Sequence, residues 1–436
     1  MPLRALILRG GAGVLACNVA AIGVAFGINV LLARVMGTTN YGVYILVLTW
    51  VNLLVVLSKL GLDTTLVRLV AASLAAGDWG SLRGAKAFAT MAAIAAGGVV
   101  GLGILLFAHA GPSEIRPDVA RVLLAAALLL PLLTVIGVEQ ATLRGFKRPV
   151  LADIPDNLGR PILVGAMVAA TAATVPGDRV SAATVMSYTA AAAVVTLGIT
   201  MALRVGATPA PLTAVPARYS RGRWIRIAAP LWLMAGMNLI LTQVDILMVG
   251  AFVGPEEAGI YAVASRLAGF AGFGLSAVNA IFAPVIAELY ARGAREELAR
   301  SARFVSLLVG SFSLPACGVL VAFGGPLLAL FGDAFVDGNS ALRILVLGQL
   351  VNCLCGPVGF LLTMTGHEQR AMAILGAATG ASLLLNLLLI PVWGIEGAAL
   401  GSAFAMALWN ALMLAHVVRK LGINPTLWGG WRHEAT

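Results

Sequence analysis

Apolar residues run through this chain in long blocks rather than in alternation or along a helical stripe, and each block ends in a few residues rich in Gly, Pro, Arg or Asp. About 20 consecutive apolar residues suffice to carry a helix across the hydrocarbon of a bilayer. The pattern predicts about twelve spans. The first six lie near Ala12 to Met36, Tyr41 to Leu62, Ala85 to Phe107, Val119 to Thr142, Val150 to Thr174 and Ala182 to Ala202. The second six lie near Ile225 to Val253, Ala258 to Phe282, Phe304 to Phe323, Leu342 to Met364, Ala371 to Val392 and Gly397 to Val418. The longest polar connection, Arg204 to Arg226, separates the two sets and holds Pro209, Pro211, Pro216, Arg218, Arg221 and Arg223. The expected architecture is an all-α polytopic membrane protein with a six-helix lobe over residues 1–205, a connection over 206–224, a second lobe over 225–420 and a tail over 421–436.

Charged residues inside the blocks change the picture. The stretch Leu241 to Ser276 sets Asp245 and Arg266 well inside two neighbouring spans. An Asp or Arg near the centre of a membrane helix costs about 2.5 to 3.5 kcal/mol on insertion scales, so it turns to a partner or a wet cavity. One reading makes the two a structural ion pair that locks helix to helix; the other places both in a transport site. Lys59, Asp63, Glu139, Asp153, Asp156 and Arg160 also fall in or beside apolar blocks, which favours a lined cavity over a single pair.

Composition agrees. Of 436 residues, 60% are hydrophobic and 11% charged, with a mean hydropathy of +0.96, against about 25% charged in soluble domains. The net charge of +10 speaks to topology before nucleic acid. One side of the predicted spans collects Arg4, Arg9, Arg68, Arg83, Lys86, Arg144, Lys147, Arg148, Arg204, Arg218, Arg221, Arg223 and Arg226 from the first half, and Arg292, Arg295, Arg300, Arg303, Arg370, Arg419, Lys420 and Arg432 from the second. The other side has Arg34, Arg116, Arg121, Arg179 and Arg343. Such a split predicts both termini in the cytoplasm. The N-terminal block carries no A-x-A-like site and is expected to be a retained first helix. Cys17, Cys317, Cys353 and Cys355 sit in apolar blocks as small hydrophobes, and the four histidines, His109, His367, His416 and His433, are scattered, so neither a disulfide framework nor a metal site is expected.

The halves repeat one another. Gly37-Thr38-Thr39-Asn40-Tyr41-Gly42-Val43-Tyr44 aligns with Gly254 to Tyr261, matching Gly, Gly and Tyr, and the following basic loops pair Arg83 with Arg300 and Lys86 with Arg303. An even number of spans per half gives parallel repeats about an axis along the membrane normal. Gly97, Gly98 and Gly101, and Gly269, Gly272 and Gly274, read as close-packing positions; no strand precedes either cluster, which disfavours nucleotide binding. Pro131, Pro230, Pro284, Pro315 and Pro357 interrupt spans as possible kinks. No Walker A, GxSxG or kinase signature is present, and neither an enzyme nor a resident cofactor is expected.

Leu32-Ala33-Arg34-Val35-Met36-Gly37 through Tyr44, Leu60-Gly61-Leu62-Asp63, Asp245-Ile246-Leu247-Met248-Val249-Gly250 with Gly259-Ile260-Tyr261-Ala262, and Gly348-Gln349-Leu350-Val351-Asn352 with Gly356-Pro357 and Thr365-Gly366-His367 resemble oligosaccharide flippases. These are Wzx-type polysaccharide transporters of the multidrug/oligosaccharidyl-lipid/polysaccharide (MOP) exporter superfamily. The resemblance implies a V-shaped pair of six-helix lobes, a MATE-like fold, that moves a polyprenyl-pyrophosphate-linked oligosaccharide across the bacterial inner membrane by alternating access for surface polysaccharide synthesis. Lipid II flippases carry basic residues on their first, second and eighth helices; Lys59 and Arg266 match the last two by helix number, and Arg34 matches the first loosely, at a helix end. Those flippases usually have fourteen spans, which this chain has no room for, and that departure argues against a peptidoglycan precursor as cargo.

A pyrophosphate needs charge-assisted hydrogen bonds to replace its water inside the bilayer, which makes Arg266, Lys59 and Arg34 cargo candidates, with Asp245 beside them. Asn18, Asn29, Asn238, Gln243 and Asn352 are candidate partners for glycan hydroxyls. Expected partners are lipid-linked oligosaccharide, membrane lipid, a polysaccharide polymerase and glycosyltransferases, without nucleic acid. The rival is a cation-coupled drug antiporter of the same fold, in which Asp245, Asp63 or Glu139 binds H⁺ or Na⁺; a non-transporting scaffold for a polymerase accounts for the composition but not for the inward charges. Basic partners favour an anionic cargo.

Overall fold

The computed structural model describes residues 3–110, 117–174, 180–209 and 215–426, with side chains described from residue 20 onward apart from residues 75, 110, 117, 118, 277, 280, 281 and 284. Arg116, Arg179, Pro211, the tail residue Arg432 and the side chains of Arg4, Arg9, Cys17 and Asn18 lie outside the described residues.

Among the described residues every regular element is helical: α1 (Leu3–Lys59), α2 (Leu62–Ala76), α3 (Trp79–Ala110), α4 (Pro117–Gly145), α5 (Pro149–Ile154), α6 (Arg160–Thr174), α7 (Ala182–Ala207), α8 (Arg221–Phe252), α9 (Pro255–Ala291), α10 (Arg295–Ala322), α11 (Gly324–Ala329), α12 (Asn339–Cys355), α13 (Val358–Met364) and α14 (Glu368–Leu421). Nine of the described stretches are long and apolar enough to cross a membrane. Two of them are double, because α1 and α14 each hold one non-helical glycine, Gly37 (φ 72°, ψ 173°) and Gly394 (φ 54°, ψ −130°). The run from α5 to α6 adds a twelfth segment, carried through a π-helical turn over Pro155–Gly159. Pro155 has no N–H to give the preceding turn, and the Arg160 N–H reaches back to the Pro155 carbonyl, which closes the wide turn.

Breaks fall at glycines more than at the expected prolines. Pro131, Pro230 and Pro315 are carried inside continuous helices. The second predicted span instead breaks at Leu60 and Gly61 and runs on as α2. A Cβ on Gly61 would stand 2.5 Å from the Ala228 carbonyl oxygen and 2.7 Å from the Trp232 nitrogen, so the passage of α8 requires glycine there. The packing role of the first glycine cluster is visible at Gly97 and Gly101, where a Cβ would stand 3.1 Å from Pro131 Cα and 2.7 Å from the Ala127 oxygen of α4.

The chain forms two compact units, Met1–Leu239 and Ile240–Thr436. The division falls inside α8 because the first part of that helix and the segment before it are built into the first unit. Trp224 and Ala228 are buried with Leu66, Leu82, Ala89 and Val138, and the Trp224 ring lies 5.6 Å from Phe88. Trp232 donates its indole N–H to the Leu57 carbonyl (3.1 Å). Ahead of them the Arg218 N–H donates to the Gly80 carbonyl (2.9 Å), Arg83 donates to the Val215 carbonyl (2.8 Å), and Arg218 forms an ion pair with Asp78. The Ser81 backbone N–H first, and the Arg218 guanidinium second, hold the Asp78 carboxyl below the usual carboxylate range. The second unit has its own core, in which Phe282, Ile286, Leu298, Val309, Leu361 and Val417 are buried together.

Candidate functional site

The repeat seen in sequence sets a common frame. Gly37 and Gly254 (φ 139°, ψ 170°) both take positive φ with an extended ψ at the turn into the following helix. Seven residues later in each copy comes a buried tyrosine, Tyr44 or Tyr261. In the first unit the Tyr44 hydroxyl bonds Thr189 Oγ1 of α7 (3.2 Å); in the second the Tyr261 hydroxyl stands 3.4 Å from Ser402 Oγ of α14. Both hydroxyl partners belong to the last span of their unit.

Among the described residues only the second unit places an acid beside this pair. Asp245, 6% exposed, accepts hydrogen bonds at Oδ2 from Tyr261 (2.7 Å) and Ser402 (3.0 Å), and at Oδ1 from the Ile246 backbone N–H (2.9 Å). These donors hold the carboxylate without Arg266, so the ion pair between Asp245 and Arg266 left open by the sequence is not its anchor. Arg266 lies on the exposed surface of α9. One residue before Ser402, Gly401 packs against the side chain of Asn386, which is 0% exposed and finds no hydrogen-bond partner for either amide atom. A second polar chain in this unit runs from Gln349 Oε1 to Asn352 Nδ2 (3.4 Å) and from Asn352 Oδ1 to buried Asn410 (3.0 Å).

The first unit treats its buried acid differently. Glu139, 1% exposed, accepts from Arg204 Nε (2.8 Å) and faces Lys86 Nζ at 3.8 Å. Both cations were read from sequence as topological loop charges; the fold turns them inward from the ends of α3 and α7. Lys59 pairs with Asp63 at 3.9 Å, and its side chain crosses α4 over Gly137, where a Cβ would collide with it. Asp63 Oδ1 also accepts the Thr64 N–H (2.8 Å). Asp153 and Arg144, and Asp156 and Arg160, form two further ion pairs at 2.7 and 2.8 Å.

Of the remaining candidates, Arg34 and Asn238 are exposed and Gln243 is half-buried. Asn29 gives Nδ2 to the Ala25 carbonyl (2.6 Å) and accepts from the Tyr41 hydroxyl (3.1 Å). The fold therefore gathers Asp245, Tyr261 and Ser402 in one unit and Glu139, Lys86 and Arg204 in the other. Tyr261 was marked by the repeat but not named as a site residue, and Ser402, Lys86 and Arg204 were likewise missed. Among the described residues no group of three or more His, Cys, Asp and Glu stands together, and Cys317, Cys353 and Cys355 are free and buried.

Comparison with known proteins places the chain in a family. The family model described as polysaccharide biosynthesis protein matches residues 7–290, and the MatE model matches residues 230–388. The probable flippase AglR of Haloferax volcanii is 25% identical over 197 residues, which span 44% of this chain and 41% of that protein, less than two thirds of its length. A multidrug resistance MATE family transporter of the MOP superfamily in its inward-facing conformation superposes with a TM-score of 0.73 at 12% identity, over 92% of this chain and 94% of that one. The lipid II flippase MurJ in an inward closed conformation superposes with a TM-score of 0.68 at 12% identity, over 92% of this chain and 86% of that one. The chain belongs to the family of polysaccharide biosynthesis proteins, a multi-pass membrane chain with the fold of the MOP-superfamily transporters.

Proposed function

We propose that this protein flips a polyprenyl-pyrophosphate-linked oligosaccharide across the bacterial inner membrane by alternating access, supplying a surface polysaccharide pathway. The observation that carries this reading is the unequal exposure of opposite charges. Of the three acids the rival reading needs, Glu139 and Asp245 are 1% and 6% exposed and already hydrogen-bonded, and Asp63, with its side chain 30% exposed, is engaged by Lys59 and the Thr64 N–H. Basic groups are reachable: Arg266 and Arg34 are exposed and Lys59 is 20% exposed. An anionic cargo finds donors on such a surface, whereas a cationic drug finds Glu139 and Asp245 buried and Asp63 already paired with Lys59.

In this reading Arg266 engages phosphate oxygens with its planar fork, Lys59 and Arg34 assist as point charge and fork, and Asn29, Asn238, Gln243 and Asn352 meet glycan hydroxyls. Asp245, with its two hydroxyl donors, serves the coupling ion, H⁺ or Na⁺, and the unpartnered Asn386 amide packs against Gly401, the residue before Ser402. Asp63 and Glu139 act as counter-ions to their cations. Polysaccharide polymerase and glycosyltransferases are the expected neighbours in the membrane.

A flipping assay with lipid-linked glycan, run beside dye efflux, tests this. Arg266→Ala is expected to abolish flipping and Arg266→Lys to retain part of it, with dye efflux absent throughout. Recovery of flipping in an Asp245→Asn, Arg266→Ala double variant would mean that the arginine neutralises the aspartate and would sink the phosphate role. The charge distribution supports a cytoplasmic position for both termini and the Arg221 loop; a cysteine at Arg221 labelled by an impermeant thiol reagent from outside intact cells would contradict that.

A further inference from the structure

We infer that Lys86 and Arg204, held by Glu139, form a seat for a phosphate group at the basic end of the first unit. A sealed carboxylate needs one cation to neutralise it. Glu139 has two, from two different helices, so the three residues together carry one excess positive charge. Like charges repel, and the two cations are kept together by the acid behind them.

Exposure separates the three groups. Glu139 is 1% exposed, while the Lys86 and Arg204 side chains are 18% and 20% exposed, so the acid lies behind and the cations open outward. Arg204 gives Nε to the carboxylate, which commits one edge of the guanidinium and leaves its Nη groups as donors. The Lys86 ammonium, at 3.8 Å from the carboxylate, is beyond hydrogen-bond distance and retains its donors. A snorkelling lysine or arginine that served topology alone would run toward water and would not converge on a buried glutamate. Fixed spare donors and one excess charge are what a phosphate monoester, diester or pyrophosphate requires.

The position is also fixed from outside. The start of α3 is strapped by the Arg83–Val215 and Arg218–Gly80 hydrogen bonds, which set Lys86 less than two helical turns beyond them. The charge count puts this end of the unit in the cytoplasm. Its role as the point where cargo enters rests on the flippase reading above; phosphate binding itself does not.

The test uses the full-length protein, first in detergent with inorganic pyrophosphate as probe. Pyrophosphate binding is expected to weaken about tenfold in Lys86→Gln and again in Arg204→Gln, with Arg204→Lys between wild type and Arg204→Gln and Arg300→Gln equal to wild type. Equal affinity in wild type, Lys86→Gln and Arg204→Gln would overturn the seat, as would no binding by folded wild type. If Arg204→Gln does not fold, Lys86→Gln carries the comparison alone. The same titration in nanodiscs of phosphatidylcholine, with or without phosphatidylglycerol, separates the sources. Competition by phosphatidylglycerol that disappears in Lys86→Gln assigns the seat to a leaflet headgroup, and its absence assigns it to a pyrophosphate-bearing ligand; both support the phosphate chemistry. Intact pyrophosphate binding in a protein that moves no lipid-linked glycan would overturn the flippase reading and leave the seat standing.

Discussion

Among the described residues the two units of this membrane protein bury one acid each and satisfy it by opposite means. Glu139 in the first unit is clamped by Arg204 and Lys86, while Asp245 in the second is held by the hydroxyls of Tyr261 and Ser402 and a backbone N–H. Glu139 therefore meets full positive charges, and Asp245 meets only neutral donors. Copies of one repeat thus surround their buried acids differently, although each unit has a tyrosine hydroxyl that meets a hydroxyl of its last span.

The largest effect is expected from removing the clamped acid. Glu139→Ala leaves Arg204 and Lys86 together without a counter-charge, and breaking a buried pair in this way costs about 3 to 5 kcal/mol. Thermal unfolding in detergent measures it. Glu139→Gln, which keeps the shape and an acceptor, should cost less; equal and small losses in both would show that the clamp is not a stabilising unit.

A smaller difference separates the two tyrosines. Tyr261→Phe withdraws a donor from a buried carboxylate and is expected to cost about 2 kcal/mol. Tyr44→Phe withdraws a neutral bond to Thr189 and is expected to cost about 1 kcal/mol. If the order reverses, Asp245 is not the group that Tyr261 serves. Ser402→Ala should fall with Tyr261→Phe, and the two losses should not add, because both hydroxyls serve one oxygen.

The legibility of these sites follows the physics of each residue. Asp245 and Glu139 stood out because a carboxylate deep in an apolar span has few cheap explanations. Tyr261 was marked by the Gly-to-Tyr spacing shared with Tyr44. Ser402 lies 157 residues from Asp245, and a serine in a membrane helix is too common to signal anything alone. Lys86 and Arg204 were hidden by a true regularity: basic residues at span ends follow topology, and spacing cannot distinguish one that snorkels outward from one that turns in. The spans were visible as apolar blocks, and the breaks at Gly37 and Gly394 fall in the gaps the sequence left between Met36 and Tyr41 and between Val392 and Gly397. The break at Gly61 was not visible, because the glycine there is required by α8, a partner distant in sequence.

The smallest expected effect tests how firmly the segment before α8 belongs to the first unit. Asp78 joins Arg218 to the start of α3 at an exposed position, so the consequence is local order more than global stability. Its carboxyl is held below the ordinary range by the Ser81 N–H and by Arg218. A depressed folded-state pKa contributes stability that is fully present above the unfolded-state value, near 4 for an aspartate, and is lost as pH falls through the folded-state value. Hydrogen exchange at the Arg218 amide, which bonds Gly80, should therefore be slow at neutral pH and accelerate in acid below about pH 4, beyond its own chemical pH dependence. Asp78→Asn should show the faster exchange already at neutral pH and no acid step. Because the Arg83 bond to Val215 remains, the segment should stay attached in that variant, and only Asp78→Asn combined with Arg83→Gln should free it. Slow exchange in the double variant would place the anchorage in Trp224 and the apolar contacts of α8 rather than in these polar straps.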